Sequence, residues 1–452
     1  MVKSIAVALL TGVLIVSAGP PDTVWTLTLG GRSTDEGWSV AETHDEGYII
    51  LGNSYSFGAG LRDAYLIRVD KQGETLWTRT FGDTRQDYGY CVHQTADHGF
   101  VLAGKTESGG REHDVLLVRT DSAGATAWSK VYGRWTGDEA AIAVCETHDH
   151  GLAAAGYTAT IGAGGRDIWL LRLAADGETL WTRTYGGAEH DAGYAVEETE
   201  DRGFLITGDT RSFGAGGSDA YQVRTDSLGT ELWARTYGWE GEDHGRSACG
   251  ETIAGFTNSR GAGSFDFLLA GPGLARTYGG RNADSGYSLT RLPDGGFAIL
   301  GNTESYGNGV DYRPDLYLVR TDAQGDTLWT ATYGDTWYDY GRSVAATRDG
   351  GLIAAGFMDM DRGCQTFDVY LVRLVPEVGV GKQYPCSLAA VPPSIVRGSI
   401  RLPEDSRAVL FDIAGRQVVS LEPGLNNLRH LDPGVYCIVV EEGTARRLVV
   451  VK

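Results

Sequence analysis

The sequence has very little of what marks a helical protein. Only 3 of its 452 residues are methionine, and apolar residues nowhere recur at helical spacing over three turns. The 65 glycines, 22 tyrosines and 11 tryptophans instead favour short turns joined by β-strands. The composition therefore predicts an all-β protein.

Positive charge is also scarce. The formal net charge is −20 and the pI is about 4.8. This balance disfavours nucleic acid and anionic lipid as partners, because both bind basic surfaces. No CxxC or His-rich spacing is present to suggest zinc.

No stretch beyond residue 20 is apolar enough for a transmembrane segment. The first residues have one lysine, an apolar run from Ile5 to Val16 and then small residues. This pattern is typical of a secretory signal peptide, which we place at 1–18. We expect a protein that is secreted or displayed at the cell surface.

The six cysteines fall into two groups. Cys91, Cys145 and Cys249 occupy the same strand of different repeats, which predicts small buried apolar residues. Cys364, Cys386 and Cys437 lie in or near loops or in the tail, and one pair of these could form a disulfide.

Seven repeats of about 50 residues fill most of the chain. In the clearest repeat, four runs read as strands a (286–292), b (296–303), c (315–321) and d (328–334), separated by turn residues. Four-stranded units at this period predict a β-propeller in which each sheet is one blade. We assign residues 22–375 to a seven-bladed propeller.

The repeats also predict how the ring closes. VWTLTLGG (24–31) resembles strand d but follows no strand c, whereas DVYLVRL (368–374) is a strand c with no strand d after it. Pairing of these segments would remove an unpaired edge. This arrangement resembles WD-repeat propellers in topology, although their Trp-Asp and Gly-His dipeptides are missing. Both the a–b and c–d links are shortened in repeat five, which predicts a notch on one face.

The repeats stop after Val375. Residues 376–390 read as a Pro- and Gly-rich linker, and 391–452 as a small C-terminal β-sandwich. LFDIAGRQV (410–418), LDPGVYCIVVEEG (431–443) and the final Lys452 resemble the C-terminal sorting domain of the type IX secretion system. The resemblance implies transport across an outer membrane with the secretion machinery as partner. The matching residues are Gly415, Arg416, Pro433, Gly434, Tyr436 and Lys452.

The d–a and b–c links are expected to share the propeller face that binds. An acidic residue precedes strand a in every repeat: Asp35, Asp87, Glu139, Asp191, Asp243, Asp284 and Asp339. These residues could form a collar for calcium, another hard cation or a cationic partner. Alternatively each caps its own turn, which the sevenfold recurrence favours.

Aromatic residues also break the repeat on this face. The indoles lie in d–a links, and tyrosines in the d–a and b–c links join them: Trp135, Trp239, Trp337, Tyr88, Tyr306, Tyr312, Tyr338 and Tyr340. Exposed rings on a rigid face stack on sugars or hold peptides. The alternative is that they cover loop backbone.

No Ser-His-Asp set, catalytic carboxylate pair or arginine triad can be assigned, so no catalytic residue is named. We expect a non-catalytic module that binds an extracellular glycan or protein. The alternative is a polysaccharide-processing hydrolase or lyase on a propeller scaffold.

Overall fold

A computed structural model describes residues 20–376 except 108–111, 135–136, 308–312 and 361–365, together with seven strand segments of the tail. All the regular elements in these residues are β-strands. No helix long and apolar enough to span a membrane occurs in this part of the chain.

Seven four-stranded antiparallel sheets form blades 1 to 7. Blade 1 contains β2 (Asp35–Glu42), β3 (Tyr48–Ser54), β4 (Asp63–Val69) and β5 (Thr75–Phe81). Blade 2 contains β6 (Asp87–Gln94), β7 (Phe100–Thr106), β8 (Asp114–Thr120) and β9 (Thr126–Tyr132). Blade 3 contains β10 (Ala140–Glu146), β11 (Leu152–Thr158), β12 (Asp167–Leu173) and β13 (Thr179–Tyr185). Blade 4 contains β14 (Asp191–Glu198), β15 (Phe204–Thr210), β16 (Asp219–Thr225) and β17 (Glu231–Tyr237).

The remaining blades follow the same order. Blade 5 contains β18 (Asp243–Cys249), β19 (Thr252–Thr257), β20 (Asp266–Gly271) and β21 (Leu274–Tyr278). Blade 6 contains β22 (Asp284–Arg291), β23 (Phe297–Thr303), β24 (Asp315–Thr321) and β25 (Thr327–Tyr333). Blade 7 contains β26 (Asp339–Ala346), β27 (Leu352–Asp359), β28 (Phe367–Leu374) and β1 (Thr23–Leu29). The predicted all-β, seven-bladed propeller is confirmed.

The first strand of each blade lies next to the axis. Each of these strands contacts the first strands of both neighbouring blades, so β2, β6, β10, β14, β18, β22 and β26 close a ring. The fourth strands form the rim, and most of their side chains are exposed or half-buried. Strand a therefore lines a central channel.

The N-terminal strand closes the ring as predicted. β1 pairs antiparallel with β28, with Thr26 opposite Val372 and Leu29 opposite Val369. Trp25, Leu27 and Leu29 pack on a core shared by blades 7 and 1. Closure is thus both a hydrogen-bonded ladder and an apolar contact.

Each apolar core lies between neighbouring blades. One such core joins Leu51 and Leu66 of blade 1 to Phe100 and Leu116 of blade 2. Because a blade is apolar on both faces, only face-to-face stacking of blades removes both apolar surfaces from water. This packing explains why the repeats form one compact unit, Asp22–Pro376.

Arginines at the end of strand c pair with aspartates in the a–b turn of the same blade. The pairs are Arg68–Asp45, Arg119–Asp97, Arg172–Asp149, Arg224–Asp201, Arg320–Asp294 and Arg373–Asp349. Hydrogen bonds from Thr95 and Arg119 lower the pKa of Asp97 to about 2, although its partial burial acts in the opposite direction. These residues are structural parts of the repeat.

Blade 5 has the shortened links that the sequence predicts. Cys249 pairs with Thr252 and Gly271 with Leu274, so only two residues form each turn. Both turns need a left-handed residue, supplied by Gly250 and Gly273 at φ of 59° and 74°. The propeller is therefore shorter here on the a–b/c–d face.

Cys91, Cys145 and Cys249 are free thiols, as expected from their recurrence. They are half-buried, and burial raises the pKa of Cys145 to about 12 and that of Cys249 to about 11. Cys364 and Cys386 lie outside the described residues. Cys437 falls in a tail strand, so the predicted disulfide stays a prediction.

The tail strands are β29 (Ser394–Arg397), β30 (Ser399–Leu402), β31 (Ala408–Phe411), β32 (Gln417–Leu421), β33 (Gly424–Asn427), β34 (Gly434–Val440) and β35 (Ala445–Val451). Five of them form a sheet with the order β29-β35-β34-β31-β32, and β30 pairs with β33. Of the predicted sorting residues, Gly434 and Tyr436 belong to β34. Gly415, Arg416, Pro433 and Lys452 lie outside the described residues. The sandwich and its sorting role stay predictions.

Candidate functional site

The d–a and b–c links meet on one face of the propeller. Parallel bridges join Arg62 to Gln86 and Phe265 to Ala283, in each case a b–c link to the following d–a link. Side chains continue this contact, since the Ser305 hydroxyl donates to Asp284 at 2.7 Å. This face, called the d–a/b–c face below, surrounds one mouth of the channel.

The predicted acidic collar is buried beneath these links. Its aspartates each accept the backbone N–H of the residue four positions earlier, as Asp87 does from Asp83 at 2.8 Å and Asp284 from Gly280 at 2.7 Å. Glu139 instead accepts the hydroxyls of Thr158 and Thr160 at 3.1 and 2.5 Å. These contacts are those of turn caps.

Across the described residues, no three His, Cys, Asp or Glu side chains converge as a metal site requires. The collar residues lie in separate turns, each next to the aspartate that heads strand c of the preceding blade. Gly82, for example, separates Asp63 from Asp87: a Cβ built on it would meet carboxylate oxygens of both within 2.5 Å. Glycine is therefore required between the two carboxyl groups.

Burial beside like charges changes the acidity of these pairs. Burial, followed by the charges of the neighbouring Asp335 and Asp315, raises the pKa of Asp339 to about 7. Burial, followed by the charge of Asp35, raises the pKa of Asp368 to about 6. The carboxyl groups of Asp339 and Asp368 therefore titrate near neutral pH.

Two of the loop tryptophans, Trp239 and Trp337, are half-buried beneath arginines. The guanidinium of Arg260 lies 4.2 Å from the ring centroid of Trp239, and that of Arg313 lies 4.0 Å from Trp337. Trp239 also packs on the apolar core between blades 4 and 5. Trp135 lies outside the described residues.

The predicted tyrosines separate into loop and channel positions. Tyr306 is 49% exposed and donates its hydroxyl to the Gly279 carbonyl at 2.6 Å. Tyr338 lies 5.7 Å from the Arg313 guanidinium. Tyr88 and Tyr340 are the second residues of β6 and β26 and therefore line the channel mouth. Tyr312 lies outside the described residues.

A ring of side chains one step deeper was not predicted from the sequence. It consists of the residue that follows the strand-a glycine, or Ala141 in its place in blade 3: Trp38, Tyr90, Ile142, Tyr194, Arg246, Tyr287 and Arg342. All are half-buried. Six of the seven are aromatic or cationic although the repeat imposes no residue type at this position, and this is the signal that the sequence offered. We call this set the channel ring.

Members of the channel ring contact each other across blade boundaries. The Trp38 and Tyr90 rings meet edge to face with centroids 5.7 Å apart. The Arg342 guanidinium lies 4.4 Å from the Tyr287 ring and 4.9 Å from the Trp38 ring. Arg246 lies 3.9 Å from Tyr194. The mouth is therefore lined by aromatic faces interrupted by two guanidinium groups.

Charged residues surround part of this ring. Asp138 binds Arg166 and lies 3.2 Å from His113 and 3.9 Å from Lys105. The hydrogen bond from His113, then the charges of Lys105 and Arg166, lower the pKa of Asp138 to about 2 despite its burial. Positive groups thus gather at this mouth although the whole chain is acidic.

No family model and no curated protein matches the chain. Among solved structures it is similar to the WD40 β-propeller domain of Doa1, at 10% identity over 77% of this chain and 96% of that chain, with a TM-score of 0.46. It is also similar to PorZ, a surface component of the type IX secretion system of Porphyromonas gingivalis. The identity is 12%, the match covers 91% of this chain and 58% of that chain, and the TM-score is 0.41. An α-L-arabinanase from Penicillium chrysogenum is similar at 9% identity, over 77% of this chain and 98% of that chain, with a TM-score of 0.42. The seven-bladed architecture follows from the strand pairing of this chain itself.

Proposed function

We propose that the protein is a secreted or cell-surface binding module that takes an extracellular glycan at the mouth of its channel. The channel ring is the observation that carries this proposal. Aromatic faces stack on the apolar faces of sugar rings, while charged groups beside them bind hydroxyls. Half-buried rings held by seven stacked blades need little ordering on binding.

Export is the second part of the proposal. The signal peptide at 1–18 would direct the chain out of the cytoplasm, and the tail would be recognised by the type IX secretion machinery. This part rests on the motifs around Gly415 and Tyr436 and on the final Lys452. Replacing the tail motif with alanines should leave the protein in the periplasm of a host that has this machinery, and normal surface delivery would contradict it.

Binding is tested with an array of cell-wall and algal glycans. We expect the protein to bind a glycan on the array without releasing a product. Trp38→Ala should reduce this retention at least about tenfold, because it removes an aromatic face from the channel ring. Trp233→Ala is the matched control, since this indole lies on rim strand β17. Release of shortened glycan would refute a binding-only role and support the hydrolase or lyase alternative. Equal losses in the two variants would place the ligand elsewhere.

A further inference from the structure

Arg246 and Arg342 occupy the same position of the repeat, in blades 5 and 7. In each case the preceding blade carries a side chain of almost the same shape at the same repeat position. This residue is Asp209 in blade 4, before Arg246, and Asn302 in blade 6, before Arg342. Both side chains have the same backbone role. Asp209 Oδ1 accepts the N–H of Gly245, and Asn302 Oδ1 accepts that of Gly341, each at 2.8 Å.

The two arginines differ in whether a neighbouring carboxylate balances their positive charge. Asp209 Oδ2 lies 3.2 Å from an Arg246 Nη, which forms an internal ion pair. Asn302 carries no charge to offer Arg342. Among the described residues no carboxylate lies within 4.0 Å of the Arg342 guanidinium nitrogens, and its buried Nε has no hydrogen-bond partner there.

Aromatic rings provide the rest of the surroundings of Arg342. Besides Tyr287 and Trp38, the Phe357 and Tyr340 rings lie 5.2 and 5.6 Å from its guanidinium. Cation–π contact stabilises the charge but does not satisfy the in-plane N–H donors. Those donors match the two oxygens of a carboxylate.

We propose that Arg342 is an anion-binding subsite that takes the carboxylate of a uronic acid in an acidic glycan. The inference rests on the proposed function and narrows its ligand class. Asn302 keeps the subsite open, because an aspartate there would supply the anion from within the protein as Asp209 does for Arg246. Trp38 and Tyr287 lie close enough to the guanidinium to contact the sugar ring that carries the carboxylate.

The direct test follows the Arg342 Nε–H signal by nuclear magnetic resonance in the full-length protein. Sodium glucuronate should shift this signal saturably, whereas glucose should not. Sodium sulfate distinguishes a carboxylate ligand from a sulfate ester. A stronger response to sulfate than to glucuronate would overturn the carboxylate assignment in favour of a sulfate ester. No saturable shift with either anion would overturn the subsite.

Three isosteric variants make the test specific. Asn302→Asp should weaken glucuronate binding at least about tenfold, since the new carboxylate occupies the Arg342 donors. Asn53→Asp is the control, because Asn53 Oδ1 accepts the Gly89 N–H at 2.8 Å in the same way, but the residue that follows Gly89 is Tyr90 rather than an arginine. It should leave binding unchanged. Asp209→Asn should create a second responsive signal at Arg246.

Equal loss in Asn302→Asp and Asn53→Asp would overturn the subsite, because the effect would then come from added charge alone. The two proposals fail separately. Retention of neutral glycans with no anion response at Arg342 leaves the binding module standing and removes the acidic ligand. An Arg342 response without retention of any glycan removes the glycan and leaves only a small-anion site.

Discussion

Leu27, near the start of the described chain, lies directly opposite Leu371 in the last strand of the propeller. The two residues pair β1 with β28 inside blade 7, and Leu27 packs on the core shared by blades 7 and 1. A contact between the two ends of the repeat sequence therefore holds the ring shut.

The first prediction concerns this closure. Leu27→Asp should lower the free energy of unfolding by about 3 kcal/mol, because it places a charge against an apolar core. Thr26→Asp, one residue earlier on the exposed side of β1, should change it by less than about 0.5 kcal/mol. Chemical denaturation measures both, and equal effects would contradict closure through the Leu27 side.

The second prediction concerns the ion pairs at the end of strand c. The Arg320 side chain is 1% exposed and that of its partner Asp294 is 19% exposed, whereas Arg224 and Asp201 are 13% and 64% exposed. Asp294→Ala should cost about 3 kcal/mol, because it removes the Asp294 carboxylate from beside a buried guanidinium. Asp201→Ala at the equivalent position should lower the melting temperature less, because solvent screens this more exposed pair. The order of the two melting temperatures decides the outcome, and the reverse order would show that burial does not set the value of these pairs.

The third prediction concerns pH. Asp339 has an ordinary pKa of 3.8 and a folded-state pKa of about 7, so the folded protein binds more protons between these values. The stabilisation that this group provides on protonation is complete below pH 4 and is lost as the pH rises through 7. Lowering the pH from 8 to 5 should therefore stabilise the propeller by about 2 kcal/mol.

Asp339→Asn tests the assignment of this pH effect. The amide oxygen can still accept the Asp335 N–H that Asp339 Oδ2 accepts at 2.8 Å. The variant should be more stable than the parent at pH 8 and should show a flatter pH profile. A profile of unchanged slope would mean that other groups cause the effect. The carboxylates with lowered pKa, such as Asp149 at about 2, affect stability only at more acidic pH.

The fourth prediction concerns calcium. Because the collar aspartates cap separate turns, millimolar calcium and excess chelator should give the same melting temperature. A rise of several degrees with calcium would restore the cation-site interpretation of Asp35, Asp87 and their equivalents. Asp87→Asn, which keeps a side-chain acceptor for the Asp83 N–H, then distinguishes loss of a ligand from loss of a cap.

Much of this architecture could be read from the repeat. Turn residues bounded the strands, and the displaced strand d at 24–31 predicted the closure that Leu27 and Leu371 form. The turn-capping role of the acidic residues and the short turns of blade 5 were also accessible. All these features depend on local chemistry that recurs, and recurrence is visible in one sequence.

The channel ring was not accessible in this way. Trp38, Tyr287 and Arg342 occupy a repeat position without a fixed residue type, so alignment of the repeats gives them no weight. They belong to blades 1, 6 and 7, and Arg342 reaches Trp38 only because the last blade packs against the first.

The sequence by itself determined the blades, because period, turns and apolar alternation are local properties of the chain. Only the tertiary structure decided which variable side chains share the mouth, and which of the two channel-ring arginines has no carboxylate beside it in the part of the chain that the structure describes. Those relationships are set by ring closure, which brings together residues that no local pattern connects.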